Sequence, residues 1–271
     1  MDFSESDEVT KWYRFDVSGN SNQKVVVHTF KSGTKVLRNY TMLYDKTKKA
    51  ALWVAYAMNT GSYPWNVTRS DSWHYDPALE QSWQPKLSSS YSGSTYTRGH
   101  QAANNDRRTT LYQMYQTDYF SNMTPQLDAF NSGSTSQWDN LETKIQNLGK
   151  TVSGRDTLYV VTGAIFDTGY KTDAKDNNNV ACPVPTRYYK CIMKVSFNAS
   201  GVATSATGAA YIFDHAAVST RQDMTIDELE TETGFDFFMN IPASVRTSAK
   251  STFTDFFNDH QNRVKRRGGS R

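Results

Sequence analysis

Three stretches near the start of the chain, residues 24–30, 35–44 and 51–58, are rich in Val, Tyr, Leu and Trp. Such β-branched and aromatic runs predict strands. The polar segment Asp45-Lys46-Thr47-Lys48-Lys49 predicts the hairpin loop between the last two. A further short extended piece is expected over 95–102, and three longer strands over 157–166, 187–197 and 202–213. Between the early and late strands lies an irregular stretch, 59–95, with Gly61, Pro64, Pro77, Pro85 and the run Ser88-Ser89-Ser90. A loop of that length inside a compact domain is usually built around a site.

The helical signals are fewer. Over 131–148, Trp138, Leu141, Ile145 and Leu148 recur at three- and four-residue steps, and Gly149 sits where a terminating glycine belongs. Thr225-Ile226-Asp227-Glu228 is a capping-box pattern that predicts a short helix. Residues 111–119 predict a helical turn or two, and 244–260 a second helical stretch. Strands outnumber helices and no internal repeat is visible. The expected class is therefore α+β: a central, mostly antiparallel sheet flanked by helices. Residues 1–23 read as a polar arm, 24–262 as one domain, and 263–271 as a basic tail.

Composition narrows the picture without deciding it. Hydrophobic residues make up 37% of the 271 positions and aromatics 13%, enough for a sizeable core and against wholesale disorder. The net charge of +3 is a mild basic bias, far from the charge of a tight nucleic-acid binder, yet compatible with an enzyme that must release its product. No stretch approaches the roughly 18–20 apolar residues of a membrane-spanning helix, so no membrane partner is expected. The opening residues, Met1 to Glu8, read as a mature start after an upstream signal, which points to a secreted or periplasmic protein. Cys182 and Cys191 leave two alternatives, a bridge across a tight loop or a pair of buried thiols, and without a C-x-x-C pattern they do not suggest zinc.

The chemistry concentrates between Thr97 and Glu142. The segment opens with Thr97-Arg98-Gly99-His100, continues through Ser121-Asn122-Met123-Thr124-Pro125-Gln126 and Phe130-Asn131, and closes with Trp138 and Leu141-Glu142. Phosphodiester hydrolysis needs a side chain that titrates near neutrality to take a proton from the attacking water, and histidine is the usual choice. It also needs a hard cation where charge grows on the phosphate oxygens. Magnesium keeps most of its waters, so one protein oxygen such as the Asn131 carbonyl is enough to anchor it. A carboxylate such as Glu142 can then order those waters. On one continuous helix, the step from Asn131 to Glu142 is about three turns, which places both on one face. His28, His74, His215 and His260 show no ligand spacing and are expected to be structural.

These motifs resemble the DNA/RNA non-specific endonucleases, the sugar-non-specific nucleases with a ββα-metal motif. Their pattern is D-R-G-H, then S-N-(M/I)-x-P-Q, then N-x-x-x-W-x-x-L-E; here Arg98-Gly99-His100, Ser121-Asn122-Met123-Thr124-Pro125-Gln126, and Asn131 followed by Trp138 and Leu141-Glu142 come in that order. Further landmarks are Trp53-Val54-Ala55-Tyr56, Asp76-Pro77-Ala78-Leu79, Val161-Thr162-Gly163, Pro185-Thr186-Arg187-Tyr188-Tyr189-Lys190 and Thr233-Gly234-Phe235-Asp236-Phe237-Phe238. The resemblance covers roughly residues 35–245. It implies a ββα-metal nuclease fold and cleavage of DNA and RNA with little sequence preference, leaving 5′-phosphate ends. It implies Mg2+, with Mn2+ as a substitute. It implies His100 as general base, Asn131 as the protein ligand to the metal, Arg98 as a phosphate contact, Asn122 as support and Glu142 as the residue ordering metal-bound water.

Three positions depart from the family pattern. Thr97 stands where Asp is usual, Gln146 where an arginine often follows the glutamate, and Asp71 where an arginine often precedes an aromatic two residues on. Arg69, Arg107 and Arg187 are therefore all candidates to complete the phosphate clamp. Thr97 also supports a competing reading, a catalytically degenerate nucleic-acid-binding protein on the same scaffold. A structural or adhesion module, suggested by the many Tyr, Ser and Thr residues, leaves the ordered motifs unexplained.

Overall fold

The computed structural model describes residues 20–92, 95–133 and 135–260. The early strands form as expected: β1 (Gln23–Ser32), β2 (Lys35–Asp45) and β3 (Ala50–Met58). They are followed by β4 (Tyr96–His100), β5 (Met123–Leu127) and β6 (Thr157–Ile165). Two short strands, β7 (Ala174–Lys175) and β8 (Ala181–Cys182), precede β9 (Arg187–Phe197), β10 (Ala203–Asp214) and β11 (Arg221–Met224). The main sheet has the order β1-β2-β3-β6-β9-β10-β11 and every neighbouring pair is antiparallel. The sheet dominates and helices flank it, so the chain is α+β as its pattern implies.

Alternation along the central strands divides the core in two. On one face Tyr188 and Ile192 of β9 pack with Val54, Tyr56, Leu158 and Val160 against Trp138, Leu141 and Ile145. On the other, Tyr189, Cys191 and Met193 pack with Trp53, Ala55 and Val161 against Ile226, Leu229 and Ala249. The turn expected over 111–119 is α1 (Leu111–Tyr115), and the helices covering this second face are α4 (Ile226–Thr233) and α5 (Ala243–Ser251). The capping box at Thr225 and Glu228 is fully formed, and Gly234 ends α4 in the left-handed region. The helical stretch expected over 244–260 stops at Ser251.

The helix expected over 131–148 is two helices. A single turn, α2 (Asp128–Asn131), follows β5, and α3 (Gln137–Thr151) starts afresh after a break. Gly133 in the break has a φ of 106°, outside any helix. Ser136 then caps the new helix by accepting the Asp139 amide at 3.0 Å while its hydroxyl donates to Phe130 O. Asn131 and Glu142 are thus not on one helix face. Gly149 is not the terminator either, because α3 runs two residues further. A side chain there would lie 2.5 Å from Met58 Cε, so the glycine lets α3 lie close on β3. Cys182 and Cys191 are buried free thiols in different clusters, one below β7–β8 and the other below α4 and α5, so the bridge is ruled out. The tail 263–271 and residues 1–19 of the arm lie outside the described residues. Among the described residues, no helix is long and apolar enough to cross a membrane.

His215, just after β10, ties the end of β5 to the loop before β9. Its Nε2 accepts the Leu127 amide at 2.8 Å, and its Nδ1 lies 2.8 Å from Pro185 O, to which it donates. Burial pulls its pKa down to about 4 from an ordinary 6.5. The unfolded chain takes up this proton near 6.5 while the native ring resists it until about 4. Stability from this site is therefore complete above pH 6.5 and falls as pH drops through that window. Urea midpoints at pH 7 and 4.5 should show roughly 2 kcal/mol more loss in the wild type than in His215→Gln. Equal losses in the two proteins would refute this account.

Candidate active site

The two motif segments pair with each other. Strand β4 carries Thr97, Arg98, Gly99 and His100, which face Gln126, Pro125, Thr124 and Met123 of β5 in antiparallel register. The ribbon leads through α2 to α3, and this gives two strands and a helix around one cleft. Gly99 is required by the pairing, since a Cβ there would sit 2.2 Å from Cδ of the buried Gln126. The cleft has a volume of about 470 Å3, and its lining includes Arg69, Trp73, Thr97, Arg98, His100, Asn131 and Glu142.

Arg98 and His100 are two residues apart and project to the same side of the ribbon. Both meet Trp73. The Arg98 guanidinium lies 3.6 Å above its ring, and the His100 ring centroid is 5.4 Å away. Arg98 Nη1 also donates to Leu87 O at 3.1 Å and Ser88 O at 3.3 Å. One edge of the guanidinium is thereby fixed by the long irregular loop, and its remaining N–H groups are left for the cleft. Burial pulls the Arg98 pKa down, partly offset by Asp71 and Asp118, yet an arginine stays charged.

His100 Nε2 lies 3.2 Å from Asp118 Oδ1. Asp118 is fully buried and held by the Ser72 amide at 2.8 Å and Asn104 Nδ2 at 3.2 Å. A carboxylate accepts, so the proton of the neutral ring sits on Nε2 and the lone pair on Nδ1. Across the cleft, Asn131 Nδ2 donates to Thr97 Oγ1 at 3.1 Å, and Thr97 Oγ1 donates to Gln126 O at 3.3 Å. The amide is thereby oriented, and among the described residues its Oδ1 takes no donor. Nearby, buried Asn104 Oδ1 and Asp106 Oδ1 are also without hydrogen bonds. Burial pushes the Asp106 carboxyl up to about 6, against the hydrogen bond from Tyr56. These oxygens suit a hard, hydrated divalent ion. Among the described residues no three His, Cys, Asp or Glu side chains converge, so the donor set does not suit zinc.

The cleft brings together Arg69, Arg98, His100, Asn131 and Glu142. It does not include Asn122, which works from behind. That side chain is fully buried, accepts the Ala102 amide at 2.9 Å, and donates to Ala102 O at 3.0 Å and Thr117 O at 2.7 Å. Two of the three clamp arginines are corrected. Arg107 is completely buried, bonded to Asn39 Oδ1 and Ala57 O and stacked near Tyr56 and Tyr63, so it cannot touch a substrate. Arg187 is spent on Asp167 at 2.7 Å and Glu232 at 2.9 Å, which hold its charge, and it lies away from the cleft. Arg69 alone of the three lines it, half-exposed and loosely paired with Asp71 at 3.5 Å.

Asp118, Trp73 and Asp106 were missed by motif reasoning. Asp118 had a signal: an acid four residues before Asn122, set among Tyr and Phe, demands a partner when buried. Asp76 is a parallel case. It accepts from Ser121 Oγ at 2.7 Å and the Ala78 amide at 2.9 Å, and faces His28 Nε2 at 2.9 Å, which locks the 59–95 loop to the ribbon.

Comparison with known proteins decides the lineage. The family model described as DNA/RNA non-specific endonuclease matches residues 18–244. The chain belongs to that family. A nuclease from Nostoc sp. is 30% identical over 227 residues, covering 80% of this chain and 77% of that protein. A nuclease from Serratia marcescens is 27% identical over 241 residues, covering 86% and 81%. Nuclease C1 of Cunninghamella echinulata is 31% identical over 225 residues, covering 76% and 82%. Among solved structures, a chain of an EndoG/EndoGI complex superposes with a TM-score of 0.60 at 24% identity, covering 84% of this chain and 90% of that one, which shows the shared ββα-metal nuclease fold. As a member of this family, the protein is a hydrolytic nuclease, and its family is metal-dependent.

Asn122 gives a direct test of the support behind the cleft. Asn122→Ala strands one buried amide and two carbonyls and should cost about 3 kcal/mol. That is read as a lower urea midpoint at an unchanged slope. A midpoint equal to wild type would refute its structural role.

Proposed function

We propose that the cleft hydrolyses the phosphodiester bonds of DNA and RNA with little base preference, as a magnesium-dependent endonuclease leaving 5′-phosphate ends. The observation that carries this reading is the His100–Asp118 contact: a buried carboxylate holds Nε2, so Nδ1 is the basic atom of a ring that lines the same cleft as Asn131 and Glu142. His100 Nδ1 takes the proton of a water attacking phosphorus. The P–O3′ bond breaks, and the 3′-oxygen leaves with a proton from solvent on the Glu142 side. Arg98, pinned by Trp73 and two carbonyls, binds a non-bridging phosphate oxygen without having to reorganise. Arg69 is the second phosphate contact, at the rim.

Asn131 would hold the divalent ion through Oδ1, with Glu142 ordering its waters. Such an ion supplies positive charge against the charge growing on the phosphate. Mn2+ is a plausible substitute because it accepts the same oxygen donors. The absence of base selectivity follows from the lining. The face of Trp73 is covered by Arg98, so it offers no ready platform for a base, and the remaining groups are polar and suited to the backbone that DNA and RNA share.

The degenerate-scaffold reading rested on Thr97. Its hydroxyl accepts from Asn131 Nδ2, so the residue at this position still orients the amide. That favours an active enzyme.

Plasmid DNA and a structured RNA should both be degraded with Mg2+ and left intact with EDTA. The fragments should be ligatable without prior phosphorylation. His100→Ala should lower the rate about 10^3-fold or more, and near-wild-type turnover in that variant would refute the assignment. Asp118→Asn, which keeps the shape but loses the charge, should fall about tenfold to a hundredfold in kcat with KM little changed. An unchanged kcat would remove Asp118 from the mechanism.

A further inference from the structure

One lysine sits where a strand should carry a hydrophobe. Lys190 lies in the middle of β9, between Tyr189 and Cys191, and is 1% exposed. An unmatched ammonium in such a place is strongly unfavourable, so a lysine kept there must be compensated. Three groups surround it. Its Nζ donates to Thr162 Oγ1 at 2.9 Å, forms an ion pair with Glu142 Oε1 at 3.0 Å, and lies 4.3 Å from the centre of the Trp138 ring. Thr162 is the cross-strand neighbour of Lys190 in the β6–β9 register, so the sheet fixes the ammonium. Trp138 and Glu142 are four residues apart on α3 and therefore approach it from one helix face. The Glu142 contact misses hydrogen-bond geometry and is held by charge.

The arrangement has a consequence in the cleft. Glu142 Oε1 is buried, yet the side chain lines the cleft and is 21% exposed. The ammonium engages one carboxylate oxygen from beneath and leaves the other on the open side. Asp106, another carboxyl, shares the same floor and interacts with both Glu142 and Lys190. Without the cation, two acids would face one another there, and the Glu142 carboxylate would have no fixed partner.

We propose that Lys190 is a positioning residue of the cleft, a buried counter-charge that sets the pose in which Glu142 orders the waters of the divalent ion. The proposal rests on the metal-dependent reading of the site. It makes α3 and the main sheet, through one ion pair, parts of a single metal-binding unit.

A double-mutant cycle read by Mn2+ binding, with free Mn2+ followed by electron paramagnetic resonance, tests it without any turnover. Lys190→Met and Glu142→Gln should each weaken Mn2+ binding about tenfold or more. The double variant should bind no more weakly than Glu142→Gln alone, because the lysine acts through the glutamate. Binding by Lys190→Met equal to wild type overturns the proposal. So does a loss of the same factor in both backgrounds, the mark of a merely structural residue. Circular dichroism reports whether each variant folds. Should Lys190→Met not fold, Thr162→Val replaces it in the cycle: it keeps both charges, removes one anchor, and should weaken binding severalfold only when Glu142 is present. The same loss with Glu142→Gln, or none at all, overturns the proposal. Asn131→Ala is the separate control: if it binds Mn2+ as tightly as wild type, the metal reading itself fails.

Discussion

The amide of Asn122 joins two stretches of chain that would otherwise part. It closes one hydrogen-bonded loop with the backbone of Ala102, just after His100, and reaches Thr117, just before Asp118. All three bonds lie in the interior, where an unmet amide or carbonyl is costly, so the two backbones are held at a fixed separation. The His100–Asp118 contact is a result of that separation. An imidazole held at one nitrogen by a buried carboxylate requires the strand and the turn to be locked first.

The remaining groups of the cleft are placed by different elements, each braced from outside it. Arg98 is held by the irregular loop through Trp73 and two carbonyls, and that loop is held in turn by Asp76 between Ser121 and His28. Asn131 is oriented by Thr97 across the β4–α2 gap. Glu142 comes from a separate helix and meets a lysine rising from the main sheet. None of these side chains depends on a neighbour in sequence for its pose. His100 and Glu142 meet the buried charges of Asp118 and Lys190, whereas Arg98 and Asn131 are held by partly buried partners, Trp73 with two loop carbonyls and Thr97.

The departures from the family pattern are absorbed by this bracing. Thr97 is shorter than aspartate and uncharged, yet it stands opposite Gln126 in the ribbon, and its hydroxyl satisfies both that carbonyl and the Asn131 amide. Among the described residues, the arginines that line the cleft are Arg69 and Arg98, while Asp139, Glu142 and Gln146 line it from α3.

The sequence by itself determined the family, the fold class and most of the main sheet. Six of the seven strands of the main sheet, all but β11, the capping box at Thr225 and the grouping of His100, Asn131, Arg98 and Glu142 at one cleft were legible, because strand composition, capping and ordered motifs are local signals. Only the tertiary structure decided how those residues meet. The helix thought to carry both Asn131 and Glu142 is broken at Gly133 and restarted by Ser136, a cap visible in the chain but outweighed there by the apolar period. Arg107 and Arg187 were equal candidates to Arg69 as symbols, since an arginine's charge is local but its burial is not. Asp118, Trp73 and Lys190 acquire their roles from partners 18 to 48 residues away, and contacts at that distance are set by packing, which no single stretch of the chain encodes.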